Sequence, residues 1–147
     1  MERKINPSQI GLITEMQCQL FLVENGYNVL IPIGNHQKYD LVIEKEGKFT
    51  KIQVKHASEQ DEGKSFLVKT RYDVRDASKT QRVKHKKYTE NDCDYFMTEY
   101  NKEFYIFPVF GTTETKFWLK KPKKINQKFA EDFIAKKVLL NLWFKSR

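Results

Sequence analysis

The chain has 147 residues, a length that suits one domain able to bury a core without disulfide or metal staples. Its 27 Lys and Arg outweigh 19 Asp and Glu to leave a formal net charge of +8, which favours a polyanionic partner. Cys18 and Cys93 show no paired spacing, which favours a reducing, intracellular context over a disulfide framework, neither belongs to a zinc pattern, and no apolar run suits a signal peptide or bilayer span, so a soluble, cytoplasmic protein is expected.

Asn6-Pro7-Ser8-Gln9 reads as a helix start, with Asn6 at the N-cap, Pro7 in the first helical position and Gln9 placed to close a capping box. The helix is predicted to run to about Asn25 and stop at Gly26, a residue suited to the left-handed position that ends helices. Leu12, Ile13, Met16, Leu20 and Val23 recur at helical spacing and are predicted as its buried stripe. Glu15 falls on the edge of that stripe, where a carboxylate either snorkels to water or serves a site, and Gly11 one turn earlier leaves room beside it.

Tyr27 to Ile33 has the character of a first strand, ended by Pro32 and followed by the polar loop Gly34 to Lys38. Two strand-like runs come next, Tyr39 to Ile43 and Lys51 to Lys55, joined by the turn Glu46-Gly47-Lys48 as an antiparallel hairpin. Alternation at period two turns Leu41, Ile43, Ile52 and Val54 to one core and brings Asp40, Gln53 and Lys55 out together on the opposite face. The plain alternative is an amphipathic hairpin whose polar side faces water.

Ser58 to Lys64 reads as a loop, Phe66 to Tyr72 as a further strand, and Arg75 to Asn91 as a basic, partly exposed loop or short helix. That last stretch carries Lys79, Arg82, Lys84, Lys86 and Lys87 with no acid between Lys79 and Lys87, which favours phosphate contact over a merely solvated charge run. Asp94 to Glu99 and Glu103 to Val109 flank Tyr100-Asn101-Lys102 as a second hairpin, and Lys116 to Leu119 reads as an edge strand. Lys120, Lys121, Lys123 and Lys124, between Lys116 and Lys128, make a second acid-free segment suited to phosphates. A closing helix is predicted from Asn126 with Phe129, Phe133, Ile134, Val138 and Leu142 on one face. Leu139, Leu140, Trp143 and Phe144 lie outside that face, as candidates for a subunit contact or for packing on the protein's own sheet. His36, His56 and His85 lack metal-ligand spacing, and there is no glycine-rich phosphate loop.

The order of elements is an α/β arrangement around a mixed sheet. Gly11-x-x-x-Glu15, Gly26-Tyr27-Asn28-Val29, Tyr39-Asp40-Leu41-Val42 and Ile52-Gln53-Val54-Lys55, in that order, resemble the motifs of the PD-(D/E)xK nuclease superfamily. The likeness is strongest to its small homing endonucleases encoded in group I introns, which also use a QxK form of the last motif. Asp94-Tyr95-Phe96 and Tyr105 to Val109 resemble the later strands of that branch. Tyr39 stands where the name motif has Pro, and Gln53 where most members carry Asp or Glu.

The resemblance implies a restriction-endonuclease-like core, a mixed β-sheet flanked by helices, in one domain over residues 1–147. It implies a site-specific double-strand DNA endonuclease that uses Mg²⁺, with Mn²⁺ able to substitute, and leaves a 5′-phosphate and a 3′-hydroxyl. Asp40 would be the central metal ligand and Glu15 the replacement carboxylate. Gln53 can offer only a neutral amide oxygen, and Lys55 would orient or deprotonate the attacking water and offset transition-state charge. A Holliday junction resolvase, a restriction-type nuclease or a catalytically inactive DNA-binding module of the same fold remain as alternatives. Cutting both strands of a duplex needs two sites of opposite polarity, so a homodimer or homotetramer is expected.

Overall fold

The structure, a computed structural model, describes residues 2–75 and 83–144, the side chains of Trp143 and Phe144 excepted. Helix α1 (Pro7–Glu24) begins as its sequence requires: the Asn6 side chain accepts from the Gln9 amide and the Gln9 side chain from the Asn6 amide, both at 2.9 Å. It ends at Asn25, and Gly26 takes the left-handed turn with φ +85°. Strand β1 (Asn28–Leu30) is shorter than the expected run, stopping ahead of Pro32, which has no amide to donate.

Strands β2 (Leu41–Lys45) and β3 (Lys48–Val54) form the expected hairpin. Glu46 and Gly47 both take positive φ, 53° and 79°, which matches the twist of the strands and makes a two-residue turn, so Lys48 already belongs to β3. The chain continues through β4 (Ala57–Gln60), β5 (Ser65–Val68), β6 (Arg71–Arg75) and β7 (Val83–Lys87) to a second hairpin, β8 (Tyr95–Tyr100) and β9 (Glu103–Pro108). Strands β10 (Thr115–Trp118) and β11 (Lys128–Phe129) and helix α2 (Ala135–Phe144) complete it.

The described residues form three sheets: a five-stranded mixed sheet in the order β1-β2-β3-β8-β9, a four-stranded sheet β11-β10-β5-β4, and a two-stranded ribbon β6-β7. Both helices cover one face of the five-stranded sheet, where Cys18, Phe21, Leu22, Leu41, Ile43, Ile52, Val54, Met97, Ile106 and Leu139 share a core. The second sheet covers the opposite face of β8 and β9. There Phe96 and Phe107 meet Phe66 and Phe117, the Phe107 and Phe117 rings lying 4.7 Å apart. Being buried on both faces, β8 and β9 read as almost continuous apolar runs.

Several sequence expectations change, each for a packing reason. In α1 the residues turned to the sheet are Thr14, Cys18, Phe21 and Leu22, while Leu12, Ile13, Met16, Leu20 and Val23 are 41–60% exposed. The two sets are offset by about two residues, roughly 200° around the axis, so the helix is apolar on opposite sides and periodicity could not choose between them. Ser58 to Lys64 is no simple loop: β4 pairs antiparallel with β5 at the edge of the second sheet, where its polar residues reach water. Phe66 to Tyr72 splits between two sheets because the buried Thr70 hydroxyl donates to the Thr112 carbonyl at 2.8 Å and turns the chain.

Within Arg75 to Asn91, residues 83–87 form a strand, paired with β6, in place of a loop or helix. Strand β10 is internal, between β5 and β11, since Thr115 and Phe117 are buried. The last helix starts at Ala135 and not at Asn126: Lys128 and Phe129 are spent on β11, and Ile134 is extended and bridges to Tyr105. Phe129, Phe133 and Ile134 therefore leave the helix face, and Phe133 packs on Phe117 at 5.2 Å. Leu139 is 2% exposed and belongs to the core under α2, so it makes no subunit contact, whereas Leu140 is exposed. Replacing Leu139 with Ala is expected to cost about 2–5 kcal/mol in urea unfolding, and Leu140→Ala less than about 0.5 kcal/mol.

Candidate active site

Asp40 precedes β2 by one residue. Its amide donates to the Ile52 carbonyl and its Oδ2 accepts from the Val54 amide, both at 2.9 Å, so the carboxylate replaces a backbone acceptor at the end of the ladder. Extending the register that pairs Leu41 with Ile52 sets Asp40 opposite Gln53. On the other flank of β3, the Lys51 carbonyl accepts from the Asp94 amide at 2.9 Å and the Lys55 amide donates to the Met97 carbonyl at 3.0 Å. Backbone bonds thus hold the Gln53 to Lys55 segment from both sides.

Helix α1 supplies the second carboxylate. The Thr14 hydroxyl donates to the Ile10 carbonyl at 3.0 Å and lies 3.4 Å from His56 Nδ1, tying this turn of the helix to the segment just beyond β3. Glu15, the next residue, is half-buried, and burial together with the charge of Asp40 pushes its carboxyl above the ordinary glutamate value. Burial also raises the Asp40 carboxyl, outweighing the Val54 amide and the Lys55 ammonium that favour its charged form. A Cβ at Gly11 would meet nothing within 4 Å, so the space near Glu15 does not depend on that glycine.

Lys55 is held by contacts that sequence reasoning missed. Its Nζ donates to the Arg71 carbonyl at 3.1 Å and sits 5.1 Å from the centre of the buried Tyr88 ring. Burial lowers its proton affinity, opposed by the charges of Asp40 and Asp73. Tyr88 is the lone aromatic residue of the basic stretch 75–91, which was the available signal, whereas a backbone carbonyl such as that of Arg71 leaves none. Lys55, His56, Ser58, Lys69, Arg71, Tyr72 and Asp73 line an open cleft of about 480 Å³.

Asp40 therefore acts electrostatically on both Glu15 and Lys55, with Gln53 across the ladder from it. Two carboxylates and an amide oxygen suit a hard divalent cation, which takes one or two carboxylates and fills its remaining positions with water and phosphate oxygens. Burial raises both carboxyls and the charge of Asp40 raises that of Glu15 further, a discouragement of charge that such a cation would relieve. Among the described residues no three His, Cys, Asp or Glu gather into a group that could hold a metal ion by themselves.

The sequence matches the family described as PD-(D/E)XK endonuclease over residues 5–135, a span that includes Glu15, Asp40, Gln53 and Lys55. The chain belongs to that family. Membership makes it a nuclease of mixed α/β fold. Among solved structures it is similar to a bacterial homing endonuclease, I-Ssp6803I, with TM-score 0.76 and 21% identity over 97% of each chain, a likeness of fold. No curated protein matches the sequence. At the family's name motif this PD-(D/E)XK chain has Tyr39, which packs at the margin of the second core with Lys51 Nζ 5.8 Å from its ring centre. Packing at Tyr39 thus restrains the approach to Asp40 where a proline ring would restrain φ.

The predicted basic residues separate. Lys84, Lys86 and Lys87 are exposed on the β6-β7 ribbon, Lys87 opposite Arg71, whose carbonyl holds Lys55. Lys79 and Arg82 lie outside the described residues. Lys120, Lys121, Lys123 and Lys124 line a groove with Gly63 and Lys64 at the Ser65 end of β5. That is about 10 Å of strand from the Val68 end, which pairs with Ala57 beside the site. His85 Nδ1 pairs with Asp73 at 2.6 Å across the ribbon, and His56 lies in the cleft wall.

The raised carboxyls fix the sign of a stability effect. The folded protein binds more protons than the unfolded chain once pH exceeds the ordinary carboxylate values, so metal-free stability falls as pH rises from there to the raised values. Each group contributes a slope of at most about 1.4 kcal/mol per pH unit. Urea titrations across that window should show this decline in the wild type, a weaker one in Asp40→Asn, and its reversal by Mg²⁺ in the wild type alone.

Proposed function

We propose that this chain is a single nuclease domain acting as a site-specific double-strand DNA endonuclease of homing type, dependent on Mg²⁺ with Mn²⁺ as a substitute. It hydrolyses phosphodiester bonds to a 5′-phosphate and a 3′-hydroxyl. The observation that carries this reading is the proximity of Glu15 on α1 to Asp40 just ahead of β2, beside a half-buried Lys55 that opens on a predominantly basic cleft. The fold shared with the homing endonuclease I-Ssp6803I supports the nuclease reading, and the homing role rests on the QxK form of the last motif at Gln53 and Lys55.

Asp40, Glu15 and the Gln53 amide oxygen would hold the metal, which when bound supplies charge stabilisation at the reacting phosphate and an acidified water. Asp40 is oriented by the Val54 amide and so presents its carboxylate in one direction. Gln53 brings no charge, which leaves two negative ligands and calls for a higher free metal concentration. Lys55, with lowered proton affinity and Nζ set by the Arg71 carbonyl, either orients the water as an ammonium or takes its proton as a neutral amine, and in its charged form offsets charge on the phosphate.

Duplex DNA is the substrate. A two-stranded ribbon fits the major groove, and Lys84, Lys86 and Lys87 would bring charge to its flanking phosphates. Lys120, Lys121, Lys123 and Lys124, further away, would meet backbone beyond the cleavage point. Two copies of the site are needed to cut both strands, as in a homodimer or homotetramer. Gln53 also supports a second reading, an inactive DNA-binding module, which would bind DNA in a salt-sensitive way without nicking it.

Incubation with a randomised duplex library in Mg²⁺ or Mn²⁺ separates the two: site-specific ends are expected, and intact binding with no nicking in either metal would leave the inactive module. Lys55→Ala and Asp40→Asn should each lower cleavage at least about 100-fold while DNA affinity stays close to wild type. Gln53→Glu should reduce the Mg²⁺ concentration needed for half-maximal cleavage, and an unchanged requirement would remove Gln53 from the ligand set. In filter binding, the double reversal Lys84→Glu and Lys87→Glu should weaken affinity and lower the salt slope by roughly two, one phosphate contact each.

A further inference from the structure

Among the described residues, the outward face of α1 is covered by no other element, and its apolar stripe carries no charge. Leu12, Ile13, Met16, Leu20 and Val23 are 56%, 41%, 59%, 60% and 57% exposed, on the side opposite the Thr14, Cys18, Phe21 and Leu22 face that packs on the sheet. A helix apolar on both sides is ordinarily covered on both sides. We infer that this face is the contact through which two copies of the chain associate, with α1 packed against α1 of the partner about a two-fold axis.

Charge selects this occupant. The chain carries a formal net charge of +8, so two copies repel wherever their lysines meet. Helix α1, by contrast, contains no Lys or Arg, and its two acids, Glu15 and Glu24, fall to the sides of the outer stripe. Two copies can meet there without burying or opposing any charge, which a self-complementary contact requires. The same absence excludes the other polyanions this basic protein could meet, since neither DNA backbone nor an anionic lipid surface gains anything from a helix without cations.

Geometry agrees with the charge argument. Leu12, Met16 and Leu20 stand four residues apart and form one ridge, the row that interdigitates with its own kind when two helices cross at about −50°. At 1.5 Å per residue the helix runs about 27 Å, against the roughly 30 Å breadth of a patch that hides the standard 800 Å² per partner. The same helix carries Glu15, so the contact would hold one carboxylate of each site in a shared two-helix unit. That functional consequence rests on the nuclease reading; the contact itself does not.

Sedimentation velocity of the full chain without DNA, at micromolar concentrations, tests the contact directly. Wild type should sediment as a dimer or larger, and the double variant Met16→Glu with Leu20→Glu as a monomer with unchanged far-UV circular dichroism. Single cysteines at Leu12, Met16, Leu20 and Val23 give a second readout, because Cys18 and Cys93 are fully buried and do not compete. At least one should form a disulfide-linked dimer under mild oxidation, while Leu140→Cys on α2 should not. On a cleavable plasmid the glutamate variant should nick without linearising, whereas a wild type that binds DNA and cuts nothing would refute the nuclease reading and leave the contact to be judged by sedimentation. A monomeric wild type, an association unaffected by the glutamates, or failure of all four cysteines to cross-link would overturn the inference.

Discussion

The bond from the Val54 amide to Asp40 Oδ2 joins the fold to its chemistry. A carboxylate placed there completes the hairpin ladder where a backbone carbonyl would otherwise accept, so Asp40 is a structural acceptor before it is anything else. The neighbouring rungs then follow: Asp40 amide to the Ile52 carbonyl, Lys55 amide to the Met97 carbonyl, and Asp94 amide to the Lys51 carbonyl. With β3 held between β2 and β8, the positions of Gln53 and Lys55 are set by backbone geometry, and their side chains need only reach outward. Few buried aspartates are tolerated without such a partner, because removing the carboxylate from water disfavours its charge.

The site is consequently under electrostatic tension. Asp40 and Glu15 both resist ionising, and Lys55 resists being protonated, each chiefly because of burial. Packing that favours stability alone would not leave two coupled carboxylates and a half-buried lysine in one place; such clusters gather where charge is to be stabilised during a reaction. The Tyr88 ring and the Arg71 carbonyl moderate the tension at Lys55 by offering its ammonium a negative π face and an oxygen acceptor. Cys93, fully buried nearby, has its thiol pushed up to about 12 and stays neutral, so it contributes volume and not charge.

Layering explains why the chemistry lies at one end of the sheet. Helices cover one face of the five-stranded sheet and the aromatic second sheet covers the other at β8 and β9, which leaves the polar side of β3 uncovered near Lys55 and the ribbon. Thr70 makes this possible: its bonds to Thr112 and Thr115 turn the chain out of the second sheet, so that β6 and β7 pair with each other alone among the described strands. The ribbon and the apolar back of α1 are surfaces whose composition the packing of the described residues does not account for, one rich in lysine and the other without any.

The sequence by itself determined those features governed by near neighbours. Asn6, Pro7 and Gln9 set the start of α1, Gly26 its end, and the stretches Glu46-Gly47-Lys48 and Tyr100-Asn101-Lys102 the places of the two hairpin turns, which the strands then narrowed to two residues each, because caps and tight turns are decided by backbone conformations a few residues wide. Alternation in β2 and β3 likewise decided that Leu41, Ile43, Ile52 and Val54 go inward. Tertiary structure decided what depends on distant partners. Only the sheet could choose the Thr14, Cys18 and Leu22 face of α1 over the more aliphatic Leu12, Met16 and Leu20 face, since both are apolar at the same period. Only the bridge from Tyr105 to Ile134 and the pairing of Phe117 with Lys128 kept 126–134 out of the last helix. Lys84, Lys86 and Lys87 became a strand for a similar reason: their own propensities are weak, and the partner that orders them, β6, lies across a connector that local pattern does not span.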